Sequence, residues 1–155
     1  MGKAEFLKSI NLGTCYYPEH WPRERWETDA ENMADMGLAV VRLAELAWSS
    51  METRDGEFDF DWLEEFIAIA GKKGVKTLLG TPQEAVPIWL QKSHPEIVRV
   101  DETGLPHGGR GLHCHNSPAF RFYAARITAE MARRFAKNPN VIGWQIDNEL
   151  HGVEC

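Results

Sequence analysis

The sequence predicts an α/β fold in which parallel strands are joined by helical crossovers. Three observations carry this. Short apolar runs alternate with stretches of helical periodicity, giving the order βαβαβαβ. Each helical stretch ends at a stop signal, Gly37, Gly74 or Asn138-Pro139, before the next apolar run. Polar residues gather where the apolar runs end: Glu19 and His20, Glu45, Gln83 and Glu84, then Asp147, Asn148 and Glu149. Two architectures fit this order, an open doubly wound sheet and half of a (β/α)8 barrel. No Gly-rich phosphate fingerprint follows the first run, which disfavours the nucleotide-binding sheet. In barrels the chemistry sits at the C-terminal ends of the strands.

The elements follow in order. Ile10 to Tyr17 reads as the first strand. Pro22 suits the first turn of a helix, where its missing N–H costs nothing. Trp26, Ala30 and Met33 then recur at helical spacing and Gly37 ends the helix. Leu38 to Leu43 is a buried strand. Trp48 to Phe58 reads as a loop. Asp61 stands three before Glu64 as in a capping box, and Trp62, Phe66, Ile69 and Ala70 line one face of the second helix. Val75 to Leu79 is the third strand. Gln83 to Asn116 is long and irregular, with Pro87, Pro95, Pro106, a Gly-rich patch and a short helix near Pro87 to Lys92. Unstructured segments of this length are usually functional or disordered. Ser117-Pro118 opens a third helix with Phe120, Ala124, Ile127, Met131 and Phe135 on one face, and Val141 to Ile146 is the fourth strand.

Composition narrows the function. The chain is 43% hydrophobic and 26% charged, as expected of a folded domain. A net charge of -6 gives no bulk attraction for nucleic acid or an anionic membrane. No run approaches the roughly 20 apolar residues of a membrane span, and the start shows no secretory leader. The three cysteines, Cys15, Cys114 and Cys155, are odd in number and far apart, so a disulfide framework is not expected and cytoplasm is the expected location. Cys15, in the first strand, reads as a small buried residue. Six Trp is high for 155 residues; most are expected to be structural, although flat rings also stack on sugar faces.

Trp144-Gln145-Ile146-Asp147-Asn148-Glu149 is the strongest local signal. An apolar strand delivers three polar residues to the strand-end layer. A carboxyl among Trp rings is partly desolvated, which favours its protonated form. Such an acid can protonate a glycosidic oxygen as the bond breaks. Asn148 can donate to and accept from sugar hydroxyls. The plainer reading of Glu149 is a loop carboxylate or helix cap.

Several motifs in order resemble the glycoside hydrolase family 42 β-galactosidases. They are Gly13-Thr14-Cys15-Tyr16-Tyr17-Pro18-Glu19-His20-Trp21, Val41-Arg42-Leu43-Ala44-Glu45-Leu46-Ala47-Trp48-Ser49, Gly56-Glu57-Phe58-Asp59-Phe60-Asp61-Trp62-Leu63, and Trp144 to Glu149. The resemblance implies the first four βα units of a (β/α)8 barrel and retaining hydrolysis of terminal β-galactosides or galacto-oligosaccharides. It implies Glu149 as general acid/base, Asn148 as holder of the galactose 2-hydroxyl, and Arg110 as a sugar-binding side chain. The nucleophile comes from the seventh strand in this family, so it is expected outside these residues. Glu45 and Glu84 match no nucleophile motif. Residues 1–155 alone are then expected to lack turnover and to aggregate, self-associate or stay loosely packed, with the longer parent a candidate homo-oligomer. No cofactor is needed for catalysis. Some members hold a structural zinc through cysteines, which points to Cys114 and Cys155. His113, His115 and His151 lie nearby, but their spacing fits no familiar zinc site. Two rival functions stand beside this one: a related retaining glycosidase of other sugar preference, and a non-catalytic carbohydrate-binding remnant.

Overall fold

The structure, a computed structural model, describes residues 10–149. Along the chain run β1 (Gly13–Cys15), α1 (Trp26–Asp35), β2 (Val40–Leu43), α2 (Trp48–Met51), β3 (Glu52–Arg54), β4 (Glu57–Phe58), α3 (Asp61–Lys72), β5 (Lys76–Gly80), α4 (Ile88–Ser93), β6 (Arg99–Val100), β7 (Pro106–His107), α5 (Pro118–Phe135) and β8 (Val141–Gln145). The main sheet has four parallel strands in the order β1-β2-β5-β8. A doubly wound sheet requires the strand order to reverse part-way. Here the order advances one way only, so the sheet is built like an arc of a barrel wall.

Side-chain alternation sorts the sheet into two faces. Val41, Leu43 and Leu79 are buried against Ala30 and Met33 of α1, Leu63, Phe66 and Ile67 of α3, and Ile127, Met131 and Phe135 of α5, in one core. Arg42, aligned with Leu78 and through it with Gly143, lies on the other face. Helices therefore cover one face, and the other carries Arg42 and Gln145 beside Leu78 and Gly143, as the inward face of a barrel wall does. Among the described residues β1 and β8 each pair on one side only, and Ile10, Leu12 and Ile146 near those rims are exposed.

The helix stops act as expected. Gly37 adopts φ +76° and Gly74 φ +85°, the left-handed conformation that costs glycine little. Leu38 N–H donates to Met33 O at 2.9 Å and Val75 N–H to Ala70 O at 3.0 Å, so both helices close by the same backbone motif. Ser117 caps α5, its Oγ accepting from Phe120 N–H, with Pro118 in the first turn.

Four expectations are corrected. The first strand is limited to Gly13–Cys15, because Ile10 and Leu12 flank an edge and find no core. The segment from Trp48 to Phe58 is α2 followed by the hairpin β3-β4 rather than a loop. No capping box forms at Asp61: Asp61 and Glu64 both bind Arg134 of α5, and Asp59 Oδ1 accepts from Asp61 N–H instead. Cys15 is exposed, since it sits on the outermost strand described.

Candidate active site

The polar face of the sheet leads to a connected set of side chains at the C-terminal strand ends. Arg42 leaves β2 and donates through Nε to Glu45 Oε1 at 3.1 Å, its Nη2 ion-paired with the same oxygen at 2.9 Å, while Tyr17 OH donates to that oxygen at 3.0 Å. Arg42 Nη1 also donates to Gln145 Oε1 at 2.8 Å. Gln145 Nε2 donates to Asn148 Oδ1 at 3.0 Å and to Asp147 O at 2.9 Å. Asn148 Nδ2 donates to Glu84 Oε2 at 2.5 Å. Arg110 then links two carboxylates: Nε donates to Glu84 Oε1 at 2.9 Å and Nη2 to Glu149 Oε2 at 2.7 Å.

Backbone geometry sets these groups in place. The three non-glycine residues with positive φ among those described are Ala44 (+79°), Asp147 (+59°) and Glu149 (+47°), all at strand ends in this set. Such conformations cost of order 1–3 kcal/mol each and cluster at functional sites. The turn at Ala44 folds Glu45 tightly over the end of β5. A Cβ on Gly80 would lie 2.5 Å from Glu45 Cβ and 2.9 Å from its Cα, so only glycine fits there. Thr81 Oγ1 accepts from Asp147 N–H at 2.7 Å and ties the β8 turn to β5.

The expected site residues divide as follows. Glu149, Asn148 and Arg110 are brought together. The Glu149 side chain is 69% exposed, so among the described residues it is not enclosed by Trp rings as its sequence context suggested. Trp144 packs against the core instead, and the left-handed turn at Glu149 carries its carboxylate to Arg110. Gln83 faces α5 and donates to Thr128 Oγ1 at 2.6 Å, away from the site. Burial pushes the Asp147 and Glu19 carboxyls above the usual carboxylate range. Beside Arg110, Ala85, Val86, Ile88 and Gln91 help line a cleft of about 490 Å³, within the usual size of a small-molecule site. Glu84, Gln145 and Arg42 carry the wiring, and none of them had a role assigned from sequence, Glu84 being noted only as a strand-end carboxylate. Gln145 and Arg42 had a signal, as polar residues inside apolar strands.

The metal reading does not gain a site. Cys114 is partly buried and forms no disulfide among the described residues, and Cys155 and His151 lie outside them. Among the described residues no three His, Cys, Asp or Glu side chains gather as a metal-binding group. Zinc needs about four donors, so these residues do not by themselves fit the ion. No described helix is long and apolar enough to cross a membrane.

His113 is buried, its ring stacked on Phe120 at 4.2 Å, and neither ring nitrogen has a hydrogen-bond partner among the described residues. Burial first, then the neighbouring His115, lower its pKa from 6.5 to about 4, against an opposing pull from Glu84. Above pH 6.5 both folded and unfolded chains hold a neutral ring. Between there and about pH 4 only the unfolded chain takes the proton, so stability falls as pH falls. Below about pH 4 both are protonated and the loss levels off. The expected loss is at most about 3 kcal/mol. His113→Phe keeps the ring stack and should flatten the stability profile across this window in unfolding measurements on the full-length protein. An unchanged profile would exclude His113 as the source.

Comparison with known proteins places this geometry. The sequence model of the Glyco_hydro_42 family, described as beta-galactosidase, matches residues 15–155. The beta-galactosidase BgaA of Clostridium cellulovorans is 44% identical over 148 residues, covering 94% of this chain and 22% of that protein. The beta-galactosidase BgaH of Haloferax lucentense is 45% identical over 143 residues, covering 91% of this chain and 22% of its own length. Among solved structures, the beta-galactosidase of Halorubrum lacusprofundi superposes with a TM-score of 0.87 at 45% identity, over 91% of this chain and 21% of that one. The psychrophilic Marinomonas enzyme gives 0.86 at 40% identity, over 90% of this chain and 22% of that one. The four parallel strands and their helices are thus the first four βα units of a (β/α)8 barrel. The 155 residues span about a fifth of the length of these relatives.

Proposed function

Because this chain belongs to glycoside hydrolase family 42, the beta-galactosidase family, we propose that the protein containing it hydrolyses terminal β-D-galactosides with retention of anomeric configuration, using Glu149 as general acid and then general base. One observation carries the reading. Arg110 and Asn148, from distant segments, are both held by the Glu84 carboxylate at the strand ends, and Arg110 reaches Glu149. This is a carboxyl ringed by directional donors, the arrangement that a sugar with adjacent hydroxyls requires.

In the first step Glu149 gives its proton to the departing glycosidic oxygen. A second carboxylate, proposed to come from outside these 155 residues, attacks the anomeric carbon. Such pairs stand about 5–5.5 Å apart in retaining enzymes. Glu149 then takes a proton from water as the water displaces that carboxylate. Asn148 has one amide hydrogen committed to Glu84, which leaves the other for a sugar hydroxyl such as the galactose 2-hydroxyl. Arg110 is proposed to bind the sugar beside it. No cofactor enters any step. A structural zinc on Cys114 and Cys155 would need further donors, and metal analysis of the purified full-length protein decides it. Oligomeric state and a cytoplasmic location are proposed on the same footing, from the resemblance and from the scattered cysteines.

A panel of chromogenic glycosides tests the sugar class, and NMR of the first-formed anomer tests retention. The expected result is a kcat/KM for β-galactoside at least about tenfold above glucoside, fucoside or arabinoside, equivalent to ~1.4 kcal/mol of transition-state discrimination. The β-anomer of galactose is expected to form first. A stronger preference for another sugar would reassign the substrate, and no turnover of any glycoside would favour a binding role.

A further inference from the structure

We infer that Glu84 is the positioning residue of this site: its buried carboxylate fixes the Asn148 amide toward the sugar and aims the Arg110 guanidinium at Glu149. This rests on the reading of Glu149 and Asn148 given above. Glu84 is 4% exposed, and each of its oxygens takes a different partner: Oε1 from Arg110 Nε at 2.9 Å, Oε2 from Asn148 Nδ2 at 2.5 Å.

The hydrogen bonds run with one polarity. Arg42 donates to Gln145, Gln145 to Asn148, and Asn148 to Glu84. Arg110 donates to Glu84 from the other side. An amide side chain can be turned either way, and only its partners decide which end faces where. Gln145 offers N–H to one end of Asn148 and Glu84 accepts N–H from the other, so the Asn148 amide has a single orientation. Reversing it would set N–H against N–H at Gln145 and oxygen against carboxylate at Glu84. Arg110 is fixed in the same way. With Nε held by Glu84, the planar fork directs Nη2 to Glu149 Oε2.

A purely structural role is already filled by other atoms. Glu84 O accepts from Gly111 N–H at 2.9 Å, so the backbone ties the two loops without the carboxylate. Among the described residues, the hydrogen bonds of the carboxylate itself go to the two groups proposed to meet substrate. Those two contacts span 26 and 64 residues of sequence, so one side chain joins three strand-end segments.

The test uses Glu84→Gln in the full-length protein. Glutamine has the same shape but can accept from only one of the two donors and must turn N–H toward the other. Losing a hydrogen bond to a charged partner should cut kcat/KM for a β-galactoside by about 30- to 100-fold, mostly in kcat. Glu84→Asp, which keeps the charge, should recover part of this. The deciding measurement is a double-mutant cycle with Asn148→Ala. If Glu84 acts through Asn148, the double variant should be within about threefold of the worse single variant, because the second change removes what the first already lost. A general loosening of the fold would instead multiply the losses both in this cycle and in the matching cycle with Arg110→Ala, and that result overturns the proposal, as does a Glu84→Gln variant within about twofold of the parent. Should Glu84→Gln fail to fold, the same cycle is run on Glu84→Asp with the same two outcomes. The acid/base reading is judged separately, by azide rescue of Glu149→Ala. Failure there with a non-additive cycle would remove the role of Glu149 and leave Glu84 as the residue that positions Asn148.

Discussion

Glu149→Gln in the full-length protein is expected to lower kcat for lactose-like substrates by about 10³-fold, within the range ascribed to a positioned general acid or base. Glutamine keeps the shape of Glu149 and can still accept from Arg110 Nη2, which donates to Glu149 Oε2 at 2.7 Å. What it cannot do is give or take the proton. The loss should therefore depend on the leaving group. An alkoxide must be protonated as it departs, so unactivated galactosides lose most. A dinitrophenolate departs without help, so its galactoside should lose little in the first step and accumulate as galactosyl-enzyme. Azide, which needs no base, should then restore turnover and form galactosyl azide. Undiminished hydrolysis of a lactose-like substrate would remove Glu149 from the mechanism. A loss equal for all leaving groups would make it a binding residue.

The fold was largely legible because its signals are local. Gly37, Gly74 and Ser117-Pro118 announce helix ends through the conformations and hydrogen bonds that they alone permit, and the structure uses each as expected. Periodicity placed the buried faces of α1, α3 and α5, where Ala30, Phe66 and Ile127 are all buried. What failed depended on distant partners. Asp61 and Glu64 have capping-box spacing, but Arg134 is some 70 residues away and binds both. Cys15 lies in a strand and reads as buried. Among the described residues it is exposed, because β1 pairs there on one side only.

The candidate site divides in the same way. Glu149 and Asn148 were named through the ordered motifs, and Arg110 only through the resemblance those motifs carry. Glu84 was seen only as one polar residue at a strand end, since nothing in a lone loop glutamate says that its two oxygens face an arginine and an amide from other loops. Among the described residues Glu149 is not enclosed, for a related reason. Neighbours in sequence are not neighbours in space at a left-handed turn, and the Trp144 ring stays with the core while Glu149 turns outward.

Glu52→Ala should be the most damaging single change to local stability, costing about 3 kcal/mol in the segment that follows Glu45, because removing one partner of a buried ion pair strands the other. Glu52 is fully buried. Its Oε2 accepts from Trp48 Nε1 at 2.9 Å, and its Oε1 accepts from Gly56 N–H at 2.9 Å and pairs with Arg126. It thus joins α2, the hairpin β3-β4 and α5. Two observations set the size. Asp55 also pairs with Arg126 Nη2, at 2.8 Å, and the guanidinium lies 4.6 Å from the Tyr123 ring centroid, so the cation is not wholly abandoned. The cost therefore belongs at the low end of the roughly 3–5 kcal/mol seen when buried pairs are broken. Glu52→Gln keeps one acceptor and should cost about 2 kcal/mol, since its N–H₂ must face Trp48 or Arg126, both donors. Hydrogen exchange in the full-length protein reads this directly. Amides of residues 48–58 should exchange about 100-fold faster in Glu52→Ala, with distant segments unchanged, because local opening is governed by the stability of the unit that opens. Exchange within about twofold of the parent there would mean that Asp55 and the aromatic rings suffice to hold Arg126. In that case the carboxylate of Glu52 would be a passenger of the fold rather than its tie.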